Sequence, residues 1–239
     1  VGGIIGSNIA NILLVLGFTL FLSQKNVLPK ISMGDLSVMA FSTLFLIYLM
    51  ALGSIGGIWP ALMLFFLLGY FFLSFRFFNV NPSSGENEEK KNYFQILGLL
   101  IISFISLFYG SDFLIQGLVD LAKKFNIPES VLGLSLAAIG TSLPELSVTL
   151  FSIIRKKSSV ALGNIIGSNI INILGALGIA SLVKGSLEIS DDFLLLDPYI
   201  LIGTACWLYI IVRYGNRNPR IFGAISLLSY SVYIYALYQ

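Results

Sequence analysis

Apolar residues in this chain are gathered into long runs, not into the alternating or every-third-position stripes of a water-soluble domain, and runs of that kind predict buried helices. Eight of them, at about 4–22, 33–51, 55–75, 94–118, 129–154, 158–183, 193–212 and 220–238, are separated by short polar breaks. Each can cross a hydrocarbon layer of roughly 30 Å, for which about 20 helical residues suffice. Alternating ten-residue segments, which a membrane barrel would need, are absent from the sequence. The pattern predicts an all-α membrane protein, a polytopic helical bundle.

The polar breaks carry the orientation, because loops on the cytoplasmic side accumulate Lys and Arg. Eleven basic residues (Lys25, Lys30, Arg76, Lys90, Lys91, Arg155, Lys156, Lys157, Arg213, Arg217 and Arg220) fall on one side, and Lys123, Lys124 and Lys184 on the other. This predicts residue 1 and the C-terminus outside and the 76–92 segment in the cytoplasm. That segment contains "NPSSGENEEKKN", whose Pro, Gly, Ser and charged residues cannot pack a core, so it reads as a linker. It separates a first unit, 1–75, with three predicted helices from a second, 93–239, with five.

Composition agrees and narrows the chemistry. Of 239 residues 56% are hydrophobic and 11% charged, with a mean hydropathy of +0.91. The net charge of +2 is explained by loop topology, so no nucleic-acid surface is implied. No His is present, which removes the usual proton relay and the usual zinc ligand. Cys206 is the single cysteine, lies in an apolar run and is expected to pack there. The opening "VGGIIGSN" has neither an initiator Met nor the charged region of a signal peptide, and it reads as the interior of a longer protein.

One octapeptide occurs twice. "GSNIANIL" at 6–13 and "GSNIINIL" at 167–174 differ at one position, and an offset of 161 residues makes twelve of seventeen pairs identical between 1–17 and 162–178. The charge pattern sends the two copies through the membrane in opposite senses, which is the mark of inverted-topology repeats. An odd number of helices per half produces that inversion. Five fit the second half, so the inverted-repeat logic predicts eight of an expected ten transmembrane helices, with two more and roughly 65 to 70 residues before Val1.

Polar groups inside these runs are candidates for function. Glu145, in "AAIGTSLPELSV" at 137–148, lies near the middle of its run, where a comparable acid costs about 2.5–3.5 kcal/mol to insert. Pro144 has no amide hydrogen for the carbonyl of Gly140, so main-chain oxygens from Ala138 to Gly140 are expected to lack partners. Thr141 and Ser142 precede Glu145 by four and three residues and share its helical face. Asn164, Ser168 and Asn172 recur every four residues on the octapeptide helix, and Ser7 and Asn11 repeat the last two. Gly163, Gly167, Gly175 and Gly178 allow another helix close. Every one of these polar groups offers a hard oxygen, which selects for sodium, calcium or magnesium over softer metals, with magnesium disfavoured by its reluctance to dehydrate. Taken singly, a hydroxyl can bond its own helix, spaced glycines can form a seam and paired Asn can bond between helices. The central acid, the proline, the hydroxyls and the duplicated amide face together point to cations. Asp112, in "YGSDFLIQG", is open to two readings, lining the same cavity or bonding a backbone group. Asp197, before Pro198, is expected at the outer end of its helix within reach of water. Tyr230, Tyr233, Tyr235 and Tyr238 read as an interfacial belt.

"GTSLPE" followed by "GNIIGSNIINIL", with "GSNIANIL" in the other half, resembles the calcium/cation antiporter superfamily, most closely its prokaryotic sodium/calcium exchanger-like members. The resemblance covers the whole chain and implies a place in a prokaryotic inner membrane. It implies that the two repeats meet at the bilayer midplane and that calcium is exchanged for sodium by alternating access. It implies Glu145 as the principal carboxylate, hydroxyl oxygens from Thr141, Ser142 and Ser168, the carbonyl of Ala138, and the side chains of Asn172, Ser7 and Asn11. No catalysis and no cofactor are implied; the partners are the transported calcium and sodium ions and the lipid bilayer, with the protein expected as a monomer. The same fold family includes proton/calcium antiporters, which stand as the alternative, and a cation channel is a remoter one. Two positions depart from the pattern. Asn172 stands where some members carry an acid, which argues against potassium dependence, and Gly3 stands where the repeat predicts an Asn matching Asn164.

Overall fold

The computed structural model describes residues 1–23, 28, 32–77, 93–125, 138–155, 157–190, 194 and 196–237. Helix α1, Gly2–Leu22, is continuous but contains a π-helical stretch, Asn11–Leu16. It is followed by α2, Met33–Ala51, strand β1, Ser54–Gly56, and α3, Trp59–Phe77. After the linker come α4, Tyr93–Phe125, and α5, Ala138–Ile154. Helix α6 runs from Ser158–Ile170 through a second π-helical stretch, Ile171–Leu177, to Gly178–Lys184. Strand β2, Ser186–Glu188, leads to α7, Asp197–Tyr214, and α8, Pro219–Leu237. Among the described residues, α1, α2, α3, α6 and α8 are long and apolar enough to cross a membrane.

The two halves interlock. Helix α8 covers the C-terminal part of α1, and α3 covers the corresponding part of α6; α7 lies against the start of α1, and α2 against the start of α6. Each octapeptide helix is thus flanked by helices of the opposite half in matching positions, as an inverted repeat requires. A polar pair is duplicated along with the helices. The Tyr70 hydroxyl on α3 donates to Asp35 in the first turn of α2 at 3.1 Å, and the Tyr233 hydroxyl on α8 donates to Asp197 at the start of α7 at 3.5 Å.

Four details correct the reading of the sequence. The apolar run from 55 does not begin as helix: Gly53 at φ 75° and Gly57 at φ 60° bracket β1, which pairs antiparallel with β2, Ser54 opposite Glu188. Those backbone angles exclude helix but suit glycine, and α3 starts only at Trp59, with Pro60 in the first turn, where its missing amide hydrogen is harmless. Asp197 is buried, 3% exposed, because Tyr233 covers it, and water does not reach it. Tyr230 and Tyr233 are buried, so they form no interfacial belt; their spacing puts both on the inner face of α8, while Tyr235 faces outward and Tyr238 lies outside the described residues. Cys206 is exposed on α7 and does not pack in the interior.

Candidate functional site

The octapeptides meet at the centre of the bundle, where α1, α5 and α6 are in mutual contact. Both copies change from α- to π-helix within one residue of their second Asn, the stretches being Asn11–Leu16 and Ile171–Leu177. A wider turn at equivalent places in both repeats re-aims the side chains at that point, and such turns concentrate at functional sites.

Side chains from the three helices form one polar cluster. The Ser7 and Ser142 hydroxyls lie 3.3 Å apart, and Ser7 Oγ also accepts from Asn172 Nδ2 at 3.2 Å. Asn172 Nδ2 reaches Asn8 Oδ1 at 3.1 Å, while Asn11 Nδ2 donates to Asn169 Oδ1 at 2.9 Å. Asn169 Nδ2 in turn donates to the main-chain carbonyl of Asn8 at 3.4 Å. On the neighbouring turn of α5 the Glu145 carboxyl group lies beside the Ser168 side chain of α6. Asn164 Nδ2 ties α6 to the same stretch, donating to the Glu145 carbonyl at 3.3 Å and to Thr149 Oγ1 at 3.2 Å.

Of the eight residues expected at the site, six therefore fall into two linked groups, Ser142 with Ser7 and Asn172, and Glu145 with Ser168, with Asn11 bonded to the same α6 face. The other two pair with one another: Thr141 Oγ1 donates to the Ala138 carbonyl at 3.2 Å, and Thr141 is exposed. The expectation that Pro144 strips the Ala138 oxygen of partners is corrected, because its carbonyl is met by the hydroxyl of Thr141 three residues on. Asp112 lies on α4, and its side chain is outside the described residues.

Sequence reasoning passed over Asn8 and Asn169. They stand one residue past the four-residue stripe of Ser and Asn, so a single-helix face leaves them out; their identity in both copies was the signal that marked them. Crossing of α1 over α6 brings them into the interface, where they are 3% and 2% exposed.

Two oxygens stand out. Glu145 Oε2 and Asn11 Oδ1 are buried and have no hydrogen-bond partner among the described residues. Leaving such acceptors unmet costs about 1–3 kcal/mol each, more for a charged group, unless something else binds them. A cation does what a missing donor would. No group of three or more Asp, Glu, Cys or His exists among the described residues, so the donor set is one carboxylate with neutral hydroxyl and amide oxygens. That set suits a hard ion that is bound and released, not a permanently held transition metal.

Comparison with known proteins gives the family of the chain. Residues 95–239 match the family model described as sodium/calcium exchanger protein. A membrane protein of Methanocaldococcus jannaschii is 35% identical over 247 residues, spanning 99% of this chain and 76% of that one. The sodium/calcium exchanger MaX1 of Methanosarcina acetivorans is 35% identical over 112 residues, 47% of this chain and 32% of that one. Among solved structures, the sodium-calcium exchanger NCX_Mj superposes with a TM-score of 0.66 at 30% identity, over 99% of this chain and 76% of that one. With a match of that identity over 99% of its residues and a family model spanning more than half of them, the chain belongs to the sodium/calcium exchanger protein family, whose members are membrane transporters and not enzymes.

Proposed function

We propose that this protein exchanges calcium for sodium across a membrane by alternating access, with Glu145, Thr141, Ser142, Ala138, Ser168, Asn172, Ser7 and Asn11 as the ion-binding residues. One observation carries the proposal: buried oxygens of Glu145 and Asn11, from opposite halves, are left without partners among the described residues, in the cluster built by the two inverted octapeptides. Calcium and sodium compete for the same oxygens. An ion bound there offsets the Glu145 charge, so the loaded site can pass an apolar layer that the bare carboxylate crosses only at a cost of several kcal/mol. Coupling follows, since movement of the gate requires an ion in either direction. Helix α4 suits the gate: it leans on α5, and its described side chains are nearly all exposed.

The same reading takes 1–75 and 93–239 as two inverted repeats joined by the 76–92 segment, which lies outside the described residues from 78 onward. The Lys and Arg bias supports a cytoplasmic linker and an outer C-terminus.

The test is uptake of radioactive calcium into vesicles containing the full-length protein. An outward sodium gradient is expected to drive uptake, a pH gradient of equal size is not, and Glu145→Gln is expected to reduce uptake to background. Uptake driven by the pH gradient alone would establish the proton-coupled alternative, in which Glu145 carries the proton. Uptake indifferent to both gradients would reject exchange.

A further inference from the structure

The amides at the centre of the bundle are paired crosswise between the repeats. Asn11 of the first copy donates to Asn169 of the second at 2.9 Å, and Asn172 of the second donates to Asn8 of the first at 3.1 Å. Asn8 corresponds to Asn169, and Asn11 to Asn172, under the 161-residue offset, so one interaction occurs twice about a pseudo-twofold axis. Its chemistry is directional. A carboxamide has one end that accepts and one that donates, and only the oxygen end can bind a cation. Asn11 has its nitrogen held by Asn169, and its oxygen is buried and unbonded among the described residues.

We propose that Asn8 and Asn169 are positioning residues that hold the amides of Asn172 and Asn11 with their oxygens toward the cation. They need not touch the ion themselves. Asn169 is itself firmly held: it is 2% exposed, and its own nitrogen donates to the Asn8 main-chain carbonyl at 3.4 Å. Without Asn169 the Asn11 amide is free to turn over and present N–H groups to an ion, which repels it. The crossed pairs also join the two repeats at the centre of the bundle, so α1 and α6 keep one relative position there while other helices move.

This inference rests on the exchanger reading, and its test separates the two. Calcium affinity is measured by calorimetry on the purified full-length protein, with thermal unfolding as the check on folding. Asn169→Leu, which is close in size but cannot accept, and Asn11→Ala are each expected to weaken calcium about five- to tenfold, the value of roughly one directed hydrogen bond or ligand. The double variant is expected to bind no more weakly than Asn11→Ala, because Asn169 acts through Asn11. The mirror cycle, Asn8→Leu with Asn172→Ala, repeats the test should Asn169→Leu fail to fold. Effects that multiply in the double variants, or a folded Asn169→Leu with unchanged affinity, would overturn the inference. Glu145→Gln in the same assay reports on the reading beneath it: full affinity in that variant removes the proposed ion site, whatever the cycles show.

Discussion

Helices α1 and α6 carry nearly the same sequence, yet they do not occupy the same environment. Against the described residues of this chain 78% of the most apolar stretch of α1 is buried, and 56% of that of α6. Ser7 and Asn11 are buried, whereas their counterparts Ser168 and Asn172 are half-buried. The crossing with the opposite half also differs. A methyl group added at Gly17 of α1 would lie 2.8 Å from the Cβ of Ser226 on α8, and one at Gly223 of α8 would lie 2.6 Å from the Gly17 carbonyl. At Gly178, the counterpart of Gly17, the nearest atom is Met63 Cβ at 3.2 Å, followed by the flexible end of Leu64. Repetition thus preserves the polar chemistry while packing is set locally: the crossing of α1 with α8 is tight at its glycines, and that of α6 with α3 leaves more room.

That contrast can be broken by substitution. Gly17→Ala is expected to destabilise the protein by about 1–3 kcal/mol, the usual cost of forcing atoms into a packed contact, while Gly178→Ala costs less than about 1 kcal/mol. Thermal unfolding in detergent compares them, and equal losses would show the two crossings to be equally tight. The duplicated Asp–Tyr pairs give a smaller difference. Tyr233→Phe removes a buried interhelical bond and is expected to cost about 0.6–1.7 kcal/mol, and Tyr70→Phe, in a part-buried pair, less. The smallest effect belongs to Gly3, around which an added Cβ meets nothing within 4 Å. Gly3→Asn, which restores the residue predicted by the repeat, is expected to change stability by no more than about 0.5 kcal/mol.

Much of this was legible in the sequence, and the reasons are physical. Hydrocarbon demands long apolar helices, so run lengths marked the spans, and the cost of a central acid singled out Glu145. The octapeptide disclosed the repeat because two near-identical copies 161 residues apart require a common origin, and the matching neighbours of α1 and α6 are those of an inverted pair. What the sequence hid depends on how helices cross. Asn8 and Asn169 lie off the stripe of a single helix and gain their role only when α1 meets α6. The π-helical turns at Asn11 and Ile171 have no residue signature, and Tyr230 and Tyr233 look like interfacial residues until α8 is seen to turn them inward. The strand pair is intermediate: Gly53 and Gly57 signal a break, but the partner, 186–188, is distant in sequence.

Equilibrium binding of radioactive calcium to the purified full-length protein, across a sodium series, tests the central claim that the two repeats together build one cation site around Glu145. Sodium is expected to displace calcium competitively, and Glu145→Gln to weaken calcium at least about a hundredfold, as loss of a buried charge partner does. Calcium bound equally well by wild type and Glu145→Gln, or bound without regard to sodium, would contradict it.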